Sequence, residues 1–173
     1  MLQPDFLQND LVSLKPLEWQ DFEALYSVAS DPLIWEQHPN SNRYQRPVFE
    51  NYFQGAMESG GAFLISDKTN GKVVGSSRFY DHEPENKVLK IGYTFFARAS
   101  WGKGHNQATK QLMMKHAFAF VDNIIFHVGE NNTRSRIAMT RLGAQLIGME
   151  TVAYYGEPDR MNCVFKISKE VFI

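Results

Sequence analysis

A strand, a glycine loop and a long helix follow one another in the middle of the chain, which restricts it to folds that combine a sheet with helices. The apolar run from 88 to 96 predicts the strand, and the helix is predicted to begin near Gly104. The loop between them has the sequence Trp101-Gly102-Lys103-Gly104-His105-Asn106. Glycines let backbone N–H groups approach an anion closely, and the dipole of the following helix favours negative charge. We therefore predict that this glycine loop binds phosphate.

The charge distribution around the glycine loop supports an anionic ligand. From Asn86 to Val121 the chain has no Asp or Glu, whereas its cationic residues are Lys87, Lys90, Arg98, Lys103, Lys110 and Lys115. The net charge of the whole chain is only -1. General affinity for nucleic acid depends on neutralising many phosphates, so we predict no nucleic-acid partner.

Two familiar phosphate-binding motifs do not fit the glycine loop. The dinucleotide-binding fingerprint needs a third glycine, but Gln107 stands at that position. The nucleoside-triphosphate loop needs Ser or Thr directly after its Gly-Lys pair, and here Gly104 follows Lys103. Both readings are excluded.

The remaining segments predict further strands and helices on both sides of this unit. Strands are predicted over 11–15, 62–66, 73–80, 124–128, 144–155 and 161–168, helices over 17–29, 47–59 and 133–142, and a polar loop over 81–86. Asn70-Gly71 is a strong hairpin signal between two of these strands. In the central helix the predicted buried stripe includes Phe120, whereas Lys110 is predicted to face water.

The bulk composition predicts one globular domain spanning 1–173. Hydrophobic residues make up 43% of the chain and charged residues 21%, which is ordinary for a globular protein. The start of the chain has no basic segment followed by an apolar run, and no stretch of about eighteen apolar residues occurs. We therefore expect a cytoplasmic protein without a membrane anchor.

Cysteine and histidine usage predicts neither a disulfide nor a metal site. Cys163 is the single cysteine and cannot form an internal disulfide, so it is interpreted as a packing residue. His82 and Glu83 lack the spacing of zinc proteases, and no Cys/His cluster occurs elsewhere. We predict no metal.

An ordered set of motifs runs from the central strand to the end of the last predicted helix. The set comprises Ile91-Gly92-Tyr93-Thr94-Phe95-Phe96, Trp101-Gly102-Lys103-Gly104, Ala108, Leu112, Ala117-Phe118, Asn132-x-x-Ser135 and Leu142-Gly143. This set resembles the GNAT acetyltransferase superfamily and, within it, the Rim-type ribosomal-protein-alanine acetyltransferase subgroup. The resemblance implies a GNAT-like single α/β (α+β) domain with a mixed, mostly antiparallel sheet of six to seven strands and about four flanking helices. It also implies acetyl-CoA as co-substrate.

The resemblance also implies roles for individual residues. The backbone of Thr94, Phe95 and Phe96 would pair with the pantetheine arm of acetyl-CoA. The backbone amides of Trp101, Gly102, Lys103, Gly104, His105 and Asn106 would bind its pyrophosphate, and Asn132 and Ser135 match positions near its thiol. Two residues depart from the family pattern: Asn106 replaces a small residue, and Lys90 replaces an acidic one. The family's base therefore cannot be carried over to this chain.

Acyl transfer to an amine requires a neutral amine and a proton for the departing thiolate. At neutral pH a lysine amine is uncharged in roughly one molecule in 2,500, and an α-amine in roughly one in ten. His127 is the first candidate for the base because imidazole titrates near neutrality. Glu83 and its loop neighbours Asp81 and His82 are the alternatives. Ser135 is the candidate proton donor to the thiolate, directly or through water.

The resulting hypothesis is an N-acetyltransferase that moves the acetyl group from acetyl-CoA to a primary amine by direct attack in a ternary complex. The acceptor is a protein amino terminus or a small-molecule amine. The alternative is a non-catalytic acyl-CoA-binding or sensing domain, and Lys90 motivates it. The acceptor pocket is predicted to include Trp35, His38, Arg43, Tyr44 and Arg46. The oligomeric state is left open, with a homodimer as one arrangement.

Overall fold

The computed structural model describes residues 2–172. Eight strands form one sheet in the spatial order β1-β2-β3-β4-β5-β6-β8-β7. They are β1 (Leu7–Gln8), β2 (Val12–Pro16), β3 (Ala62–Asp67), β4 (Val73–Glu83), β5 (Val88–Phe96), β6 (Asn123–Gly129), β7 (Gln145–Val152) and β8 (Arg160–Ser168). The helices are α1 (Phe22–Ala29), α2 (Arg46–Ser59), α3 (His105–Ala117), α4 (Thr133–Arg141) and α5 (Lys169–Phe172). Within residues 2–172 no helix is both long and apolar enough to cross a membrane.

The predicted mixed, mostly antiparallel sheet flanked by helices is confirmed, with small differences in number. The sheet has one more strand than expected because the two-residue β1 pairs with β2, and the short α5 is an additional helix. The predicted polar loop over 81–86 is wrong at its start. There β4 continues to Glu83, which pairs with Val88 across a tight hairpin.

Helices cover both faces of the sheet and enclose two hydrophobic clusters. On one face, α3 contributes Met113, Met114 and Ala117 to a cluster with the apolar side chains of the central strands. On the other face, α1 and α2 form an aromatic cluster around Trp35 and Phe49. The sheet is therefore the middle layer, and successive side chains of its central strands point alternately into one cluster and into the other.

The helix α3 differs from its predicted pattern at two positions. Phe120 is 46% exposed because α3 ends at Ala117, so the helical period does not extend to it. Lys110 is only 2% exposed and points into the protein. Both expectations, a buried Phe120 and a solvent-facing Lys110, are wrong.

Within residues 2–172, β5 and β6 are the only neighbouring strands that run parallel, and they pair over only three residues. Val88, Leu89 and Lys90 are matched to residues 123–125, after which the two strands continue without further pairing. In the part of β5 that is not paired with β6, a bulge inserts one extra residue opposite β4. Tyr93 lies in this bulge and has a φ of 53°. The strands therefore separate towards their carboxyl ends and open a gap in the sheet.

A buried ion pair joins the segment before α2 to the turn between β7 and β8. Arg43 Nε and Nη2 donate to the two carboxylate oxygens of Glu157 at 2.7 and 2.6 Å. The side chains are only 1% and 4% exposed. The guanidinium also lies 5.1 to 5.8 Å from the ring centroids of four aromatic residues, namely Trp35, Tyr52, Tyr93 and Tyr154. The pair therefore holds two irregular segments together.

We predict that Glu157→Gln lowers the free energy of unfolding by about 3–5 kcal/mol, because it leaves the Arg43 charge buried without a partner. The control is Glu23→Gln, which breaks the pair of Glu23 with Arg46, where the side chains are 71% and 43% exposed. That exposed pair should contribute about 0–1 kcal/mol. Urea unfolding of both variants tests the difference, and equal losses would contradict it.

Candidate active site

The gap between β5 and β6 opens into a cavity of about 420 Å³. Its wall runs from the glycine loop and α3 at one end to Tyr80, His127 and Tyr154 at the other, with α4 along one side. The lining contains no Asp or Glu side chain among the described residues. An elongated, acid-free cavity of this kind suits a long anionic ligand.

The glycine loop forms an open cradle at the amino end of α3. Gly102 and Gly104 have φ values of 72° and 85°, which side chains other than glycine rarely adopt. A Cβ at Gly102 would meet no atom within 4 Å, and one at Gly104 only Leu11 Cδ2 at 3.6 Å, so the space above the loop is free. Within residues 2–172 the N–H groups of Gly104, His105 and Asn106 have no backbone acceptor. These donors fit a phosphate group.

A buried hydrogen bond fixes the start of α3 to the β3–β4 hairpin. His105 Nε2 lies 2.8 Å from Asp67 Oδ2, and the His105 side chain is 3% exposed. Asp67 also accepts from the N–H of Thr69 at 2.7 Å and from its hydroxyl at 2.5 Å. The hydrogen bonds from Thr69 and then from His105 lower the pKa of Asp67 to about 2. The His105 side chain is therefore a structural anchor for the start of α3.

The residues expected to bind the cofactor come together, with one exception. Those on the cavity wall are Thr94, Phe95, Phe96, Trp101, Gly102, Gly104, His105, Asn106 and Asn132. Lys103 is exposed and is not part of the wall. Trp101 is fixed by a 3.0 Å hydrogen bond from Nε1 to the carbonyl of Phe96, and the Arg134 guanidinium lies 3.8 Å from its ring centroid. Two arginines of α4, Arg134 and Arg141, therefore belong to the wall.

Asn132 and Ser135 begin α4 at the middle of the cavity. The Asn132 side-chain oxygen accepts from the N–H of Ser135 at 3.2 Å, so Asn132 caps the helix. Both residues line the cavity. A capping role and a binding role are therefore compatible for Asn132.

His127 lies on β6 between Tyr80 and Glu150. Its Nδ1 is 3.3 Å from the Tyr80 hydroxyl, and its Nε2 is 3.0 Å from Glu150 Oε2. If Glu150 accepts the Nε2 proton, Nδ1 is left as the acceptor for the Tyr80 hydroxyl. Burial raises the pKa of Tyr80 well above its usual range, so this hydroxyl keeps its proton. The arrangement can accept a proton at this end of the cavity.

Sequence reasoning named His127 as a candidate base but neither of its partners. Tyr80 is on β4 and Glu150 on β7, and both meet His127 only through the register of the sheet. The alternative candidate Glu83 is exposed, accepts from the Asn86 amide at 2.9 Å and is not part of the cavity wall. Asp81 pairs with Lys90 at 2.9 Å and lines a smaller neighbouring cavity of about 250 Å³.

Neutral and cationic side chains surround the end of the cavity at Tyr80, His127 and Tyr154. Burial and then the charge of Arg43 lower the pKa of His38 well below its usual range, so His38 is neutral at pH 7. Burial raises the pKa of Tyr154 to about 12. Behind the wall, Arg78 is 3% exposed, and its guanidinium lies 3.8 Å from the Tyr93 ring centroid. The expected pocket residues His38 and Trp35 line the cavity, whereas Tyr44 and Arg46 do not.

Lys110 is the functional candidate that sequence reasoning placed on the wrong side of its helix. Its Nζ donates to Thr94 Oγ1 at 2.5 Å and to Ser77 Oγ at 3.2 Å. Burial lowers the pKa of Lys110 to about 7. No group of three or more metal-ligating side chains occurs among residues 2–172, here or elsewhere.

Solved structures share this fold. Residues 12–145 match the family model of the acetyltransferase (GNAT) domain. A GCN5-related N-acetyltransferase from Brucella melitensis superposes with a TM-score of 0.80 at 21% identity, over 98% of this chain and 83% of that chain. Mycobacterium smegmatis RimJ in complex with CoA-disulfide gives 0.74 at 20% identity, over 98% and 90%. By sequence, no curated protein matches this chain.

We predict that the anchor between Asp67 and His105 makes stability depend on acidic pH. A carboxylate whose pKa is lower in the folded state stabilises the fold above its ordinary pKa, and this contribution is lost as pH falls from about 4 towards 2. The free energy of unfolding should therefore fall more steeply below pH 4 in the wild type than in Asp67→Asn. Urea unfolding at several pH values measures both slopes. The exposed Asp159→Asn is the control and should keep the wild-type slope.

Proposed function

We propose that this chain, which belongs to the GNAT acetyltransferase family, transfers an acetyl group from acetyl-CoA to a primary amine. The acceptor is a protein amino terminus or a small-molecule amine, which attacks directly in a ternary complex. The observation that carries the proposal is one continuous cavity with a free N–H cradle at one end and a hydrogen-bonded histidine at the other. The binding of CoA-disulfide by a RimJ of the same fold supports it.

Different parts of the cavity would bind different parts of acetyl-CoA. The backbone amides of Gly104, His105 and Asn106 would hold the pyrophosphate, and the unpaired edge of β5 from Thr94 to Phe96 would hold the pantetheine arm. Acetyl-CoA supplies the activated acetyl group as a thioester. The chain supplies position, a proton acceptor and an environment without carboxylates, which favours the polyanionic donor.

His127 acts as the proposed base through Tyr80. The acceptor amine gives its proton to the Tyr80 hydroxyl, which passes its own proton to His127 Nδ1. Glu150 then stabilises the imidazolium through Nε2. The nearby buried Arg78 opposes a cationic acceptor and so favours the neutral amine that can attack. An α-amine, neutral in roughly one molecule in ten at pH 7, fits this site better than a lysine side chain.

A second candidate is an acyl-CoA-binding or sensing domain without turnover. It is favoured by one observation, namely that no carboxylate of the described residues lines the cavity as a base. Lys90, at the position where the family often has an acidic residue, is paired with Asp81. A sensor would bind acetyl-CoA without releasing thiol when amines are added.

The glycine cradle is tested by isothermal titration of acetyl-CoA and CoA into the wild type and Gly104→Asp. We expect micromolar binding by the wild type and none by the variant, because the new carboxylate occupies the phosphate position. The matched control is Gly60→Asp at the end of α2, where φ is 62° and a Cβ meets no atom within 4 Å. It carries the same backbone strain and should bind normally. Failure of the wild type to bind would overturn both candidate functions.

The base is tested by kinetics with a panel of α-amines, peptides with free amino termini, and lysine-like amines. His127→Gln should lower kcat/KM by about 100-fold, since general-base groups contribute about 10²–10⁴-fold. Tyr80→Phe should lower it similarly because the relay is interrupted, and Glu150→Gln less. The controls are His82→Gln and Glu83→Gln, both exposed and outside the cavity wall. A larger loss in Glu83→Gln than in His127→Gln would reverse the assignment.

A further inference from the structure

Lys110 is a buried amine in the cavity, and none of the residues 2–172 balances its charge. Its Nζ contacts the hydroxyls of Thr94 and Ser77, and it lies 5.6 Å from the Phe126 ring centroid. Among the described residues no carboxylate lies within ion-pair distance of it, and burial is the single cause of its lowered pKa. One helical turn earlier, the buried side-chain oxygen of Asn106 has no hydrogen-bond partner. Burying an amine without a counter-charge costs free energy, which indicates that Lys110 has a chemical role in the cavity.

The position of Lys110 relative to His127 indicates what this chemical role is. Neighbouring residues of a strand point to opposite faces, so Phe126 faces Lys110 and α3, whereas His127 faces Tyr80 and Glu150. The glycine cradle, which would hold the phosphates, begins α3 and lies on the Lys110 side. A thioester that crosses the gap between β5 and β6 would therefore have its sulfur towards Lys110 and its acetyl carbon towards the acceptor.

We propose that Lys110 is the acid that protonates the departing sulfur of CoA, an inference that rests on the proposed transfer reaction. The amine nitrogen forms a bond to the carbonyl carbon, the carbon–sulfur bond breaks, and its electron pair leaves with the sulfur. The ammonium of Lys110 then gives one proton to the sulfur, which becomes the thiol, and Lys110 becomes neutral. His127 takes the proton of the attacking amine and later releases it to solvent, from which Lys110 is recharged.

The acidity of Lys110 suits this transfer. An ammonium with a pKa of about 7 is a stronger acid than a thiol with a pKa of about 8.5, so the proton moves downhill to the thiolate. The Ser135 hydroxyl does not ionise near neutral pH, so it can relay or donate a hydrogen bond but cannot be the source of the proton. The other groups around Lys110 are the hydroxyls of Ser77 and Thr94 and the Asn106 amide, with Arg134 and Arg141 on α4 and His127 and Tyr80 beyond the gap.

The kinetic test compares Lys110→Arg and Lys110→Met with the wild type at saturating acetyl-CoA and acceptor. The wild-type kcat should fall as pH rises above about 7, because the acidic form of Lys110 is then lost. Arginine keeps the charge but does not release its proton, so Lys110→Arg should bind CoA with kcat lowered by roughly 100-fold and without the alkaline fall. Lys115→Arg and Lys115→Met, on the exposed side of α3, should match the wild type. An unchanged pH profile in Lys110→Arg overturns the proposal.

An equilibrium test needs no acceptor and separates this inference from the proposed function. The ultraviolet absorbance of the thiolate reports the ionisation of CoA bound to the wild type and to Lys110→Met. Near pH 7, where part of Lys110 is still an ammonium, its charge stabilises the thiolate, so a larger fraction of the bound thiol should be ionised in the wild type than in Lys110→Met. Identical titrations overturn the role of Lys110, whereas absence of CoA binding overturns the proposed function itself. Mass spectrometry after incubation with acetyl-CoA should find Lys110 unmodified, and an acetylated Lys110 would make it a nucleophile instead of an acid.

Discussion

The early end of pairing between β5 and β6 is the constraint on which the candidate site depends. After three matched residue pairs the two parallel strands diverge, and each leaves backbone groups without a strand partner. Unpaired backbone groups inside a protein are costly, so a gap of this kind is stable only where a ligand or water can satisfy them. The bulge at Tyr93 turns β5 further from β6. The cavity follows from this divergence, and the alternation of side chains along β6 places Lys110 and His127 on its opposite sides.

Electrostatics in the cavity complement this geometry. The glycine loop contributes N–H groups, Arg134 contributes a cation stacked on Trp101, and no described Asp or Glu lines the wall. The acidic side chains that the site does use, Glu150 and Glu157, lie behind histidine and arginine and face those residues instead of the cavity. The potential inside the cavity therefore favours a polyanion, while a proton can still be accepted at the far end.

The sequence predicted local features well because they depend on neighbours in the chain. The glycine loop and the Asn70-Gly71 hairpin were each visible in a short segment. The resemblance to the GNAT family rested on the order of several such motifs, and the family assignment is confirmed. The partners of His127 were not predictable, since Tyr80 and Glu150 reach it only through strand register. Lys110 was placed wrongly because helical periodicity treats a lysine as solvent-facing, whereas the hydroxyls of Ser77 and Thr94 provide polar contacts inside the fold. Long-range pairing decides these positions.

The hydrogen bond between His105 and Asp67 has a consequence for binding kinetics and for tolerance to sequence change. It fixes the start of α3 to the β3–β4 hairpin before any ligand arrives, so the cradle need not become ordered on binding. Association at this end should then be limited by diffusion and steering rather than by loop closure. The hairpin turn that follows Asp67 is on the surface and contributes nothing to the cavity wall. Loosening that turn would nevertheless weaken ligand affinity from a distance, through the orientation of a single helix.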